Sequence, residues 1–256
     1  MKITLVTGLY TNLIDKHIES IISKLIDLEK YSVMEITDDG FEVFTDSLHC
    51  SSRQTSIINI QDLPFKDYLN HSPETLKYIE RRFNNIIDYS NIKDINKQKF
   101  EYTCNTLLIN GVPYSKTDKW IRKILNSLWY SVLTYKGILT ISKDHLIIHY
   151  IENYLHPKIV KNLLDDLILL MFDTESHLIL PTFNENVLSI IRQNQLQYSI
   201  KNIKLDCSIF NTDTGNIINL NNDGSISSYE DYVFDQILIN SATMVTMKRE
   251  VYKQKI

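Results

Sequence analysis

Apolar residues at positions 14, 18, 21, 22, 25 and 28 recur at the spacing of one helix face, and they follow a stretch, Ile3 to Leu9, in which apolar and polar side chains alternate. The alternation predicts a strand and the periodic stretch a helix over Leu13 to Leu28, with Gly8 and Thr11-Asn12 as the turn between them. Ser32 to Thr37 and Phe41 to Thr45 alternate about Asp38-Asp39-Gly40, the pattern of a β-hairpin. Thr55 to Ile60 predicts a further strand, and Ser72-Pro73-Glu74 opens a second helix with Ser72 as cap and Pro73 at its first position. Asp88 to Gln98 is polar and aperiodic and reads as a connector.

Beyond the connector, Phe100 to Ile109 predicts a strand ending in a turn at Asn110-Gly111, followed by a helix over Ser115 to Tyr130 and strands at 132–141 and 145–151. Ile159 to Phe172 is apolar enough to be either a helix or a buried strand. A strand at His177 to Leu180, a helix at Asn184 to Gln195, and a hairpin of Lys204 to Phe210 with Asn216 to Leu220 about Thr212 to Gly215 complete the pattern. One segment occurs twice. Asp15-Lys16-His17-Ile18 and Asp118-Lys119-Trp120-Ile121 open helices whose apolar positions superpose: Ile18 on Ile121, Ile21 on Ile124, Ile22 on Leu125, Leu25 on Leu128. A repeat of roughly a hundred residues is too long for a solenoid and predicts two similar tandem domains, 1–90 and 100–256, joined by a connector at 91–99. Single helices alternating with hairpins place both in the α+β class, helices packed on antiparallel sheet, rather than doubly wound α/β.

Composition adds limits. With 43% apolar and 23% charged residues and a net charge of -4, the chain is not a uniformly basic nucleic-acid binder, although a local basic face fits within an acidic total. No apolar run approaches the roughly 20 residues that span a bilayer, and no charged-then-apolar leader opens the sequence, so an intracellular protein without membrane partners is expected. Cys50, Cys104 and Cys207 are widely spaced and odd in number, which fits reduced thiols rather than a metal site. Only 6 Gly and 5 Pro disfavour folds built on glycine loops.

Candidate chemistry is sparse. Leu5-Val6-Thr7-Gly8 before a helix could open a nucleotide-binding unit and Phe44-Thr45-Asp46 could end a strand of a glycosyltransferase, but a lone glycine is no dinucleotide fingerprint and no Asp-x-Asp is present. His145 and His149, with His156 beyond, have zinc spacing only on a helix, whereas Leu146-Ile147-Ile148 between them fits a strand. Asp165-Asp166 reads as a solvated helix edge, and no nucleophile-elbow or protease signature occurs. No catalytic residue, metal or cofactor is therefore assigned.

Four segments are similar to the DNA sliding-clamp superfamily, of the proliferating cell nuclear antigen and checkpoint-clamp type: Met34-Glu35-Ile36-Thr37-Asp38-Asp39-Gly40-Phe41, Thr45-Asp46-Ser47-Leu48-His49-Cys50, Phe100-Glu101-Tyr102-Thr103-Cys104 and the terminal Lys255-Ile256. The resemblance implies a two-domain ring subunit, a head-to-tail trimer of identical or related chains that encircles duplex DNA and tethers polymerase or other replication and repair proteins as a processivity factor. It implies a nuclear or viral replication site. Inner-ring contacts to phosphate would come from Lys119, Arg122 and Lys123, which with Asn126 lie opposite Ile121, Ile124, Leu125 and Leu128, from Lys77, Arg81 and Arg82, and from Lys16, Lys24 and Arg192. Clients would dock through short peptide motifs around Asp46, Ser47 and His49, the connector residues Ile92 and Ile95, and Ile256. Two other readings stand beside it: a clamp-like scaffold in viral transcription or a damage checkpoint, and a GT-A-like glycosyltransferase. Charge reversal at Lys119, Arg122 and Lys123 is expected, on the clamp reading, to weaken DNA association and its salt dependence while the fold persists.

Overall fold

In the computed structural model, which describes residues 1–27, 32–36, 41–44, 73–93, 95–104, 106–135, 144–172 and 176–226, the opening alternation becomes β1 (Lys2–Thr7) and the periodic stretch after it α1 (Thr11–Asp27). β2 (Ser32–Ile36) and β3 (Phe41–Phe44) pair antiparallel as expected, and α2 (Pro73–Ser90) starts at the proline. A small meander follows, β4 (Phe100–Thr103), β5 (Thr106–Ile109) and β6 (Val112–Pro113), then α3 (Lys119–Tyr135). The rest of the chain is β7 (Asp144–Ile148), α4 (Pro157–Met171), β8 (His177–Pro181), α5 (Glu185–Ile200), β9 (Asp206–Asn211) and β10 (Ile217–Asn219).

Seven of these strands form one sheet in the order β10-β9-β1-β8-β7-β2-β3. β9, β1, β8, β7 and β2 are mutually parallel, and among the described residues only the outer strands β10 and β3 run antiparallel. The structure is thus a mixture of helices and strands, but its main sheet is not the antiparallel one expected. The reason is legible in the strands: Leu146-Ile147-Ile148 and Leu178-Ile179-Leu180 are buried without interruption, as strands covered on both faces must be. The division at 91–99 also does not separate two sheets, because β1 is hydrogen-bonded between β8 and β9, both from the far side of that boundary.

Side chains alternate across the sheet and sort into two cores. Ile3, Leu5, Ile36, Leu146, Ile148, Leu178, Leu180, Cys207 and Ile209 face a large core filled by α2, α3, α4 and α5. Val6, Val33, Ile147 and Ile179 face Ile14, Ile18 and Ile22 of α1 on the other side. The two repeated helices therefore cover opposite faces of a single sheet.

Several local expectations are corrected. Residues 132–135 continue α3 instead of starting a strand, while the rest of that expected strand, Thr55 to Ile60, Ser72 and the 37–40 turn lie outside the described residues. The strand expected over Phe100 to Ile109 is folded back on itself at Cys104, whose φ is 49°, and Asn110-Gly111 makes the foreseen turn with φ of 51° and 77°. The ambiguous apolar stretch is helix α4, capped by the His156 side chain accepting from the Lys158 N–H. Among the described residues no helix is long and apolar enough to cross a membrane.

On the α1 side of the sheet, the lower halves of four strands carry a polar row. Thr4 Oγ1 lies 2.9 Å from His177 Nε2 and 3.1 Å from Ser208 Oγ, and the His145 and His177 rings meet edge to face at 5.3 Å. Burial, with help from the Lys2 charge, pushes the His145 imidazole down to about 4, and burial, then His145 and Lys2, pushes His177 down to about 3. The folded chain keeps both rings neutral where the unfolded chain, with ordinary values of 6.5, takes up protons. Stability is therefore complete above about pH 6.5 and falls as the pH drops toward 4, by about 1.4 kcal/mol per pH unit for each proton bound only by the unfolded chain. Urea denaturation of His177→Gln between pH 6.5 and 4 is expected to show a shallower decline than the parent chain, and an equal slope would assign the effect to other groups.

Candidate functional site

Where the buried apolar runs of the parallel strands end, polar side chains begin. After β7 come His149, Tyr150 and Glu152, after β8 come Thr182 and Asn184, and after β1 come Gly8 and Tyr10. These carboxyl ends are where a parallel sheet offers a ligand its crevice, most openly where neighbouring strands pass the chain to opposite faces. β1 and β8 do so: β1 leads into α1 on one side of the sheet and β8 into α5 on the other. The turns leaving these two strand ends are exposed, with Leu9 and Tyr10 each 61% and Phe183 42% accessible.

Two polar assemblies border it. On the α1 side, His149 Nε2 contacts Glu35 Oε1, and both side chains are mostly buried; the His149 N–H donates to the Ile36 carbonyl at 2.9 Å, tying the end of β7 to β2. Next to it Tyr150 donates its hydroxyl to Asp15 of α1 at 3.1 Å and stacks on Phe183 with ring centroids 5.5 Å apart and planes 7° from parallel. Burial and then the Asp15 carboxylate push the Tyr150 hydroxyl above its ordinary range, so it remains a donor.

On the opposite side, Lys123 of α3 is only 2% exposed and donates to the His149 carbonyl. Glu152 Oε1 accepts from Thr182 Oγ1 at 2.6 Å and from the Phe183 N–H at 3.4 Å, while Oε2 is enclosed with no hydrogen-bond partner. Burial raises the Glu152 carboxyl, opposed by those hydrogen bonds and by the Lys123 charge. A carboxyl lifted in this way, with one oxygen uncommitted, can hold or release a proton closer to neutrality than an ordinary glutamate.

The turn after β1 is held against the loop after β9. The Thr212 N–H donates to the Thr7 carbonyl at 2.8 Å, the Leu9 N–H donates to Asp213 Oδ2 at 2.6 Å, and a Cβ at Gly8 would lie 2.0 Å from Thr212 Oγ1. Gly8 is thus needed for close approach of β1 to β9, not as part of a phosphate loop.

The residues expected to line a DNA channel are dispersed. Lys123 is internal, Lys119 donates to the Tyr154 hydroxyl at 3.2 Å with its ammonium 4.8 Å from that ring, and Arg122 is half-buried with Nε enclosed. These three do not form one exposed face, because α3 is wrapped by α2 and α4. Lys77 and Arg81 are exposed on α2, but Lys16 and Lys24 are exposed on α1, across the sheet. Arg82 grips Asp166 through two hydrogen bonds of 3.0 and 2.7 Å, and Arg192 donates to the Gly224 carbonyl at 2.6 Å. Asp165 likewise accepts from Lys161 and Asn194. Of the residues expected to bind clients, Ile92 and Ile95 are half-buried against the large core, and Asp46, Ser47, His49 and Ile256 lie outside the described residues.

His145 stands on a strand and His149 just past its end, as the apolar residues between them suggested, and among the described residues no three His, Cys, Asp or Glu side chains converge on a metal position. Tyr150, Glu152, Thr182 and Phe183 carried no motif, whereas Glu35 and Lys123 were singled out only through the family resemblance. Their only sequence signal is position, immediately after, or packed over, the ends of continuous apolar runs. No protein-family model matches this chain, and no curated protein does.

Two stability outcomes follow from this packing. Gly8→Ala is expected to cost about 1–3 kcal/mol through the clash with Thr212, read as a lowered denaturation midpoint. Lys123→Glu, which sets a second carboxylate beside Glu152, is expected to cost about 3 kcal/mol or more, whereas Lys77→Glu and Arg81→Glu shift the same midpoint by under about 0.5 kcal/mol.

Proposed function

We propose that this chain is an enzyme acting on a small polar substrate in the crevice at the carboxyl ends of β1, β7 and β8, and that it catalyses group transfer of the glycosyltransferase kind. The observation that supports this most directly is the Glu152 carboxyl, raised by burial, with one oxygen held by Thr182 and the other uncommitted, beside a buried lysine. In such a reaction Glu152, whose Oε2 is enclosed until substrate displaces the side chains over it, exchanges a proton with the attacking or departing oxygen, Lys123 sets the local field and the His149 carbonyl position, and the Glu35–His149 pair fixes the loop that carries both His149 and Glu152. The parallel sheet fits this reading because its carboxyl edge is where such sites are built.

The ring-subunit reading rests on the four resembling segments. Its further support, one basic surface shared by several helices, is weakened by the burial of Lys123 and by the placement of Lys16 on the opposite side of the sheet from Lys77 and Arg81. A scaffold reading needs only a peptide pocket, which the half-buried Ile92 and Ile95 do not by themselves supply.

Calorimetric titration with a panel of sugar nucleotides, followed by assays for sugar transfer and hydrolysis, tests the proposal. Micromolar to millimolar binding and a turnover reduced roughly 10²–10⁴-fold in Glu152→Gln, with binding preserved, are expected. Unchanged turnover in that variant would remove Glu152 from the chemistry. Absence of any binding, together with a stable trimer retained on circular DNA, would replace the proposal with the clamp.

A further inference from the structure

The two faces of the sheet are covered unequally. Against α2, α3, α4 and α5 lies the large core, whereas among the described residues α1 alone covers the other face, contributing Ile14, Ile18 and Ile22 to a much smaller one. β1 does not depend on α1 for its pairing, because it is bonded to β8 and β9 on its two sides and its exit is tied down by the Leu9 N–H to Asp213 Oδ2 bond of 2.6 Å. α1 is therefore the layer whose departure exposes the least buried apolar surface, and layers of this kind open as units.

The same face carries buried histidines. Lys2, His177 and His145 are direct cross-strand neighbours on β1, β8 and β7, and the two imidazole rings meet at 5.3 Å. A proton on either ring stands beside the other ring and the Lys2 ammonium with little water to screen it. The carboxylates that this face carries among the described residues are engaged elsewhere. Asp206 of β9, in register with Lys2, lies 3.5 Å from Lys204, Glu35 of β2 holds His149, and Asp15 of α1 accepts from Tyr150. The Thr4 and Ser208 hydroxyls complete the row and add no charge. From α1 itself, His17 stacks on Phe210 of β9 at 3.8 Å and 9°, and burial, then the Lys24 charge, lowers its affinity for a proton. Acid therefore favours an arrangement in which α1 has left and the rings are hydrated.

We infer that α1 is an acid-released layer: on acidification it leaves the sheet as a unit while the helices of the opposite face stay in place, and its departure breaks the Asp15–Tyr150 bond beside the crevice. Tyr150 relies on its surroundings, because its φ of 43° is a left-handed conformation that bulky residues hold only where neighbouring bonds fix them. The direction follows from linkage. Under α1, His145 at about 4 and His177 at about 3 stay neutral, whereas in the opened form both return toward the ordinary 6.5. Each then draws the opening equilibrium forward by up to about ten-fold per pH unit below 6.5, which is about 10²-fold apiece and about 10⁴-fold together at pH 4.5. This device goes beyond the chemistry proposed for Glu152 and does not rest on it.

Amide hydrogen exchange of the full chain, read by mass spectrometry at pH 7 and pH 4.5 with rates corrected for the pH dependence of free amides, tests the inference. At pH 4.5 peptides from α1 are expected to exchange within about ten-fold of an unstructured chain, while peptides from α4 and α5 stay slowed at least about 100-fold, and α1 regains its protection on return to pH 7. The double variant His145→Gln, His177→Gln is expected to keep α1 at least about 100-fold better protected at pH 4.5 than the parent chain. Lys2→Glu, at an exposed position, replaces a repelling charge with an attracting one and is expected to lower the pH of α1 release by roughly half a unit or more; it carries the test if the double variant does not fold. Simultaneous loss of protection in α1, α4 and α5 assigns the acid response to global unfolding and overturns the inference. Release of α1 at an unchanged pH in Lys2→Glu, or in a folded double variant, overturns it as well.

Discussion

The parallel pairing of β1 with both β8 and β9 is the constraint on which the remaining structure depends. β1 is completed on one side by residues 177–181 and on the other by residues 206–211. Until those arrive, Ile3 and Leu5, both fully buried in the folded chain, lack the neighbouring strands that complete their layer. Folding must close long loops before this pairing is rewarded, so the central sheet forms late relative to local elements such as the β4–β5–β6 meander. The same insertion is what gives β1 a neighbour whose chain departs to the opposite face, and hence what opens the crevice.

Placing β1 at the centre also fixes where polar groups can be carried. Along the strands both faces are covered, and the polar row of Thr4, His145, His177 and Ser208 is tolerated because its members bond or stack with one another. At the carboxyl edge the balance differs. Lys123 and Glu152 are held within the same shell as the His149 carbonyl and the Thr182 hydroxyl, and an apolar pair of similar volume would serve packing at lower desolvation cost. A fold that maintains a lysine, a glutamate with an uncommitted oxygen and a left-handed tyrosine within one loop and its neighbours is accepting local instability in one place. That place adjoins the exposed Phe183 turn after β8.

Element identity was largely legible and arrangement was not. Periodicity located α1, the alternation about Asp38-Asp39-Gly40 located the β2–β3 pair, Pro73 marked the start of α2, and Asn184 marked that of α5, where its side chain accepts from the Asn186 N–H. Parallel order could have been suspected from Leu146-Ile147-Ile148 and Leu178-Ile179-Leu180, because strands half-exposed in an antiparallel sheet would alternate instead. Lys123 shows the limit in the other direction. Helical spacing placed it opposite the apolar stripe of Ile121, Ile124, Leu125 and Leu128, yet a helix packed between two others has no solvent face at that height, and its amine is instead satisfied by a carbonyl from the end of β7. Site residues such as Glu152 and Phe183 acquire meaning only once the strands that precede them are known to be neighbours.

The internal repeat has a physical origin that requires no second domain. A helix laid on a sheet must present apolar side chains three and four residues apart, so two helices covering sheet faces converge on the same pattern whether or not they share a history. Ile18 and Ile22 meet Val33, Ile147 and Ile179 on one side, while Ile121, Ile124, Leu125 and Leu128 enter the large core on the other. β2, which follows α1, and β7, the next described element after α3, are direct parallel neighbours in the same sheet. Two similar helix–strand units that feed adjacent strands from opposite faces cover both sides of a parallel sheet, and their similarity is what the sheet's symmetry of burial demands.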